Sequence, residues 1–315
     1  MPSPIPRDAK VLVTGGRGMV GSALLRRFRA EGFANLLAPT RDEVDLRDQA
    51  AVDAWFDRQR PKVVVHAAGT VGGIEANRTR PAEFLYDNLM LHATVMRAAW
   101  RTGVRRLLYL GSSCVYPRDC PQPMREEHLL SGPLEPTNDA YAIAKIAGVK
   151  ACDAYRRQHG CDFFAAMPTN LYGPGDNFDP QNSHVVAGMI QKFHTCRQQG
   201  SGRRSVALWG TGAPRRELMH VDDLADACLT LLDRYEGAGP VNVGVGVDTA
   251  VSELAEQVRS IVCPDATIDY DTTKPDGAPR KLLDVSRLES LGWRSRIPLA
   301  DGLRSTYEWF LENEA

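Results

Sequence analysis

Tyr141 and Lys145 lie four residues apart in YAIAK, one helical turn on a single face. A lone phenol keeps its proton up to about pH 10. An ammonium beside it favours the phenolate, so the pair can pass a proton near neutrality. Upstream stands GSSCVYP, residues 111–117, directly after the apolar run Leu107–Leu110. Ser112 offers a hydroxyl to a carbonyl oxygen there, and Cys114 offers a thiol. Cys114 lies two residues beyond Ser112, so an extended chain would turn both to one side. By itself Cys114 reads as a small buried apolar side chain, and Y-x-x-x-K occurs in many helices by chance. The residues gain meaning only from the elements that must position them.

KVLVTG, Lys10 to Gly15, reads as a strand running into TGGRGMVG, Thr14 to Gly21. Gly15, Gly18 and Gly21 give G-x-x-G-x-x-G; Gly16, Gly18 and Gly21 give G-x-G-x-x-G. Either spacing permits a tight turn and lets a pyrophosphate approach backbone amides at a helix N-terminus. A helix follows in MVGSALLRRFRAEG, with Gly32 as its cap. Next come a strand in NLLAPT, a helix opened by Asp48, a buried strand in KVVVHAAG and a long helix in FLYDNLMLHATVMRAAWRTG. RRLLYLGSS reads as a strand, the YAIAK segment as a helix and CDFFAAMPTN as a strand. This alternation predicts an α/β fold with a doubly wound parallel Rossmann sheet. Residues 172–184, YGPGDNFDPQNSH, read as a loop, and shorter elements follow. PVNVGVG, residues 240–246, reads as a strand returning to the first sheet. The expected division is a cofactor domain over 1–171 and, over 172–315, mainly a smaller interleaved substrate lobe.

The second strand runs on into PTRDEVDL, where Arg41 precedes any acid. A cation there can meet a 2′-phosphate, which favours NADP over NAD, and Arg17 offers a second. Asp42 and Glu43 temper this, and a solvated turn arginine is the plain alternative. The net charge of −1 gives no electrostatic case for nucleic acid or a membrane surface. Seven cysteines without a Cys-x-x-Cys pair, and scattered histidines, point to no disulfide framework, no metal and a reducing cytoplasm. MPSPIPRDAK reads as no signal peptide, and no apolar run approaches the roughly 20 residues of a membrane span. GSGRRS, residues 200–205, reads as a solvated loop.

With glycine turn, strand-end serine and Y-x-x-x-K helix in this order, the chain resembles the extended short-chain dehydrogenase/reductase family over almost its whole length. AAGTVGGIEAN, LGSSCVYP, LEPTNDAYAIAKIAG, MPTNLYGPGDNF, SHV, RRELMHVDDLADA and KPDGAPRKLLD resemble that family's GDP-sugar epimerase-reductases. Gly175 departs from the larger polar residue expected in many of them. The resemblance implies inversion at C3 and C5 of GDP-4-keto-6-deoxy-mannose and NADPH-dependent reduction at C4, giving GDP-L-fucose. It implies that Ser112 and Tyr141 hydrogen-bond the keto oxygen and that Lys145 also holds the nicotinamide ribose. Cys114 and His184 become base and acid on opposite faces of the sugar. The chemistry is sound from below: both inverted carbons flank the ketone, and thiols and imidazoles ordinarily titrate at about 8.5 and 6.5.

The same resemblance carries the cofactor contacts onto Gly15, Gly16, Arg17, Gly18, Met19, Val20 and Gly21 in the first turn. Beyond the second strand it adds Arg41, Asp42, Asp45 and Leu46, and beyond the third Ala68. From the later strand ends it adds Leu110, Gly111, Ser112 and Ser113, then Pro168, Thr169, Asn170 and Leu171, with Tyr141, Lys145 and His184 closing the set. The nucleotide-sugar positions are Lys192, Trp209, Arg216, Asp276 and Lys281. Trp209 can equally be core, and Arg215 can exchange roles with Arg216. A 4,6-dehydratase is disfavoured because SSCVY lacks its acid pair, and a non-catalytic sensor because Ser112, Tyr141 and Lys145 are intact. A relative making another deoxysugar stays open. The apolar helices at 84–102 and 140–158 suit a homodimeric four-helix contact.

Overall fold

The computed structural model describes residues 4–180, 182–199, 204–274 and 276–315, so most of GSGRRS lies outside the described residues. The first half alternates β1 (Val11–Thr14), α1 (Met19–Ala30), β2 (Leu36–Leu37), α2 (Gln49–Gln59) and β3 (Val63–His66). It continues with α3 (Ile74–Thr79), α4 (Pro81–Arg101), β4 (Arg106–Leu110), α5 (Asp139–His159) and β5 (Asp162–Pro168). The second half holds β6 (Asn170–Tyr172), α6 (Val185–Gln198), β7 (Ser205–Trp209), β8 (Arg215–His220), α7 (Val221–Arg234) and β9 (Val241–Val243). Last come β10 (Asp248–Ala250), α8 (Val251–Val262), β11 (Thr267–Asp271), β12 (Arg280–Lys281), α9 (Ser286–Ser290) and α10 (Leu299–Asn313).

Six strands form one parallel sheet in the order β2-β1-β3-β4-β5-β9. Its central strands are buried on both faces, as their unbroken apolar runs require. One face packs on α1 and α7 through Leu24, Phe28, Leu224 and Leu231. The other packs on α2, α4 and α5 through Phe56, Met96 and Val149. Strand order reverses at β1, between β2 and β3, and the crevice at the carboxyl ends there is where such sheets bind ligands. NLLAPT contributes only two strand residues, because the chain turns out at Pro39–Arg41.

A second layer is built on β8, which pairs antiparallel with β10 and parallel with β6 and β12. β7 and β11 make a separate parallel ribbon. A third apolar cluster, centred on Phe193, Val258 and Phe310, supports this part. β6 follows β5 after a single residue, so a strand of the parallel sheet leads directly into the second layer.

Candidate active site

The glycine turn comes first. Gly15 has φ +72°, and a Cβ there would lie 3.0 Å from the Ala68 Cα. A Cβ on Gly21 would collide with the Gly15 carbonyl oxygen. Only hydrogens fit at these positions, so the backbone amides opening α1 stay bare towards the crevice. Gly18 caps α1 with no side-chain hydrogen bond, which leaves the first-turn donors for an anion. The cradle therefore fits a dinucleotide pyrophosphate. Arg41 is 72% exposed in its side chain and lies 3.6 Å from Asp45; Arg17 is exposed as well.

Ser112, at the end of β4, is followed by a 3-10 turn over Ser113–Val115 rather than by extended chain. The expected reason for Ser112 and Cys114 sharing a side is thus corrected. What joins them is a cap, in which the Cys114 N–H donates to the Ser112 Oγ at 3.2 Å. Ser113 and Val115 are buried while Ser112 and Cys114 stay half-buried, so the turn still presents both.

Tyr141 and Lys145 share one face of α5. The Lys145 Nζ lies 5.8 Å from the Tyr141 ring centre and donates to the Leu110 carbonyl oxygen at 2.8 Å. Burial lowers the Lys145 ammonium to about 8, with Cys114 acting in the opposite direction. Burial pushes the Tyr141 phenol up; Cys114 adds to this, and a hydrogen bond with Ser112 opposes it. The expectation that the ammonium draws the phenol downward is therefore not met, because desolvation dominates. A phenol kept protonated is a proton donor, which is what an oxygen being reduced needs.

Beneath the site runs a buried hydrogen-bonded chain that the sequence did not reveal. The Ala68 N–H donates to Thr14 Oγ1 at 3.0 Å, and Thr14 Oγ1 lies 2.8 Å from His66 Nδ1. His66 Nε2 meets His92 Nδ1 at 3.1 Å, and His92 Nε2 meets the Tyr109 hydroxyl at 2.8 Å. Burial, helped by the Lys145 charge, lowers His66 to about 3 and lowers His92 well below its ordinary range. Both rings are neutral, so each has one donor and one acceptor nitrogen. The chain between Thr14 and Tyr109 therefore runs in a single donor-to-acceptor sense.

Around the thiol, the Lys281 Nζ lies 4.0 Å from Cys114 Sγ. Lys281 pairs in register with Arg216, β12 against β8. Burial lowers Arg216, opposed by Asp276 and then Cys114, so the guanidinium lies among these groups. Both Asp276 oxygens already accept from Thr211, at 2.7 and 2.8 Å, which pins the loop before β12 to the turn after β7. Trp209 is 59% exposed and not core. Lys192 and Lys274 stand 6.0 and 5.6 Å from its ring centre. Arg215 is engaged with Asp248 instead, at 2.7 Å, which separates its role from that of Arg216.

Two further residues had no signal in the sequence. Glu217 is fully buried, and its oxygens accept from the Val245, Gly246 and Leu283 N–H groups at 2.7, 2.7 and 2.9 Å. It thereby ties β8 to the segments carrying the end of β9 and Lys281. Asp176 lies beside His184, the residue preceding α6. The remaining cysteines are unpaired; five are buried and Cys161 is partly so.

A glycine cradle at the switch point of a parallel sheet, with Ser112 at the end of β4 and Tyr141 and Lys145 on α5, defines a nicotinamide-dependent enzyme of carbonyl chemistry. The chain belongs to the NAD dependent epimerase/dehydratase family, whose profile matches residues 11–244. It is 52% identical to GDP-L-fucose synthase 1 of Arabidopsis thaliana, over 98% of this chain and 94% of that one. It is 48% identical to GDP-L-fucose synthase of Escherichia coli strain K12, over 97% of each. Among solved structures it resembles a GDP-L-fucose synthetase from Naegleria fowleri bound to NADP. That likeness has a TM-score of 0.91 at 28% identity, over 99% of this chain and 95% of the other.

Proposed function

We propose that this protein inverts C3 and C5 of GDP-4-keto-6-deoxy-D-mannose and reduces C4 with NADPH, giving GDP-L-fucose. The observation that carries the reading is the half-buried Cys114 held against Ser112 at the strand end, with Tyr141 on the facing helix. A reductase alone has no use for a thiol at that point. Ser112 and Tyr141 hold the keto oxygen and stabilise the enolate that forms when a flanking carbon loses its proton. Cys114 takes that proton from one face, and His184 returns one from the other. The Lys281 Nζ stands 4.0 Å from the sulfur. Bound NADPH supplies the hydride for C4. Tyr141 then gives its proton to O4, and Lys145, on the same helical face, keeps a positive charge nearby.

The same reading gives residues 1–171 to the cofactor and 172–315 mainly to the substrate. Arg41 and Arg17 take the 2′-phosphate. Arg216 and Lys192 take the diphosphate, Trp209 stacks on base or sugar, and Asp276 and Lys281 complete the pocket. The protein works in the cytoplasm, whose reducing conditions leave its seven cysteines unpaired. Among the described residues no helix is long and apolar enough to cross a membrane. It acts as a homodimer through α4 and α5, where Tyr86, Trp100 and Ile143 stand exposed; light scattering at twice the 34.7 kDa chain mass checks this. The function is tested by incubating the protein with the keto sugar and NADPH in D2O and identifying the product. GDP-L-fucose with deuterium at C3 and C5 supports the proposal. A product with the original ring configuration refutes the inversion, and no NADPH oxidation refutes the whole.

A further inference from the structure

We infer that Asp176 is the positioning residue of His184, holding its ring so that the outer nitrogen delivers the proton during inversion. The inference rests on the reading of His184 as the acid. Its physical basis is independent of that reading. Asp176 Oδ1 lies 3.8 Å from His184 Nδ1, and the Asp176 side chain is only 4% exposed. Among the described residues, the buried Asp176 Oδ2 and the buried His184 Nδ1 have no hydrogen-bond partner. A buried polar group without a partner is unfavourable. The unmet ring nitrogen stands closest to Oδ1, and the unmet oxygen of the same carboxylate is Oδ2, so each residue brings one unsatisfied atom to the contact.

The two residues stand on separate supports. Asp176 closes a turn with its N–H on the Gly173 carbonyl oxygen at 3.2 Å, and its Oδ1 also accepts from the Asn177 N–H at 2.8 Å. The turn rests on the start of α1. Gly175 has φ +83°, and a Cβ there would lie 3.5 Å from the Met19 Cα. This gives a reason for glycine where a larger polar residue was expected. His184 caps α6, and the preceding Ser183 carbonyl lies against Gly73, 2.8 Å from where a Cβ would stand. The carboxylate is thus anchored beside the dinucleotide turn, and the imidazole beside the loop that follows β3.

The His184 side chain is 43% exposed although Nδ1 is buried. The exposure therefore belongs to the rest of the ring, including Nε2. Rotation of the ring closes the gap from 3.8 Å to an ordinary hydrogen bond, a tightening common when substrate arrives. With Nδ1–H donated to Asp176, the imidazolium gives its Nε2 proton to the enolate carbon, forming the C–H bond as the N–H bond breaks. The neutral ring left behind carries its proton on Nδ1, held by the carboxylate, and Nε2 is reprotonated from solvent.

Asp176→Asn tests this in the holoenzyme with GDP-4-keto-6-deoxy-mannose and NADPH. The inverted product should form about 10- to 100-fold more slowly, and the 4-reduced sugar of original configuration should appear in the variant's product. A merely structural role would slow NADPH oxidation and leave the inverted sugar as the product, and that result overturns the inference. The native protein gives a second reading that needs no variant. In its ¹⁵N spectrum, neutral His184 should carry the proton on Nδ1, and an Nε2–H tautomer overturns the pairing. His184→Ala separates the two layers. If that variant still inverts the sugar, the acid assignment fails, whereas the tautomer measurement continues to judge the contact itself.

Discussion

Lys145 carries a charge that burial opposes. Its ammonium is buried, and burial takes it from 10.5 to about 8. At about 1.4 kcal/mol per unit, keeping this charge at pH 7 costs the folded chain about 3 kcal/mol. The sign follows from proton counting. Between about pH 8 and 10.5 the unfolded chain holds this proton and the folded chain does not, so stability rises with pH through that window. Below about 8 the cost is fully present. Lys145→Met keeps the stem and removes the charge, but the Leu110 carbonyl oxygen loses its donor, which costs about 1–2 kcal/mol. Without cofactor, the variant should therefore be about 1 kcal/mol more stable than the native protein at pH 7, and less stable by about 1–2 kcal/mol near pH 10.5. Urea unfolding of both proteins at the two pH values measures this. Turnover of the keto sugar with NADPH should fall at least about 100-fold in the variant, and native turnover should decline as pH rises through about 8. A variant destabilised by more than about 1 kcal/mol at pH 7, or by equal amounts at both pH values, would show that burial of this charge is not what the fold opposes.

Two substitutions probe the other ends of the site. Arg41→Ala should weaken NADPH binding about tenfold and leave NADH binding unchanged, since the proposed role of this exposed guanidinium is to take the 2′-phosphate; titration of each cofactor by fluorescence decides it, and equal weakening of both would refute the assignment. Cys114→Ser keeps the size of the side chain but removes a group able to act as a base near neutrality. Inversion should fall about 100-fold or more, while reduction of the un-inverted sugar survives; full deuterium incorporation at native rate would make the thiol a packing residue.

The parts of this site legible in the sequence are those carried by a single element. Tyr141 and Lys145 share a helical face because the helix repeats every 3.6 residues, and the glycines mark a turn that sterics dictate. Ser112 follows from the apolar run that must end there. Legibility ends where the partner is supplied by another segment. Cys114 stands beside Ser112, but through a capped 3-10 turn whose geometry depends on the Ser112 side chain rather than on strand alternation. The phenol of Tyr141 is governed by burial under the finished fold, so its direction could not be taken from Lys145 alone. Glu217 looks like an ordinary charged residue after two arginines, and only the return of β9 and β12 supplies the three amides that make it a clasp.

Asp176 is the sharpest case. Seven residues separate it from His184 in a loop rich in Gly, Pro and Asn, and no helical or strand period relates them. Their approach is set by where the two ends of the loop are anchored, one on α1 and the other against Gly73. Both anchors border the crevice at the carboxyl ends of the sheet, the first beside the glycine turn and the second in the loop after β3. A residue placed by two such anchors responds to whatever occupies the crevice, which a residue fixed within one helix does not. That difference explains the arrangement of the chemistry. In the proposed chemistry the oxygen-binding groups Ser112 and Tyr141 sit at the end of a sheet strand and on the helix beside it, where the keto oxygen can hold its place through every step. The proposed proton carrier, His184, sits where a doubly anchored loop meets its helix, which suits an acid that approaches a carbon changing configuration after the base has acted.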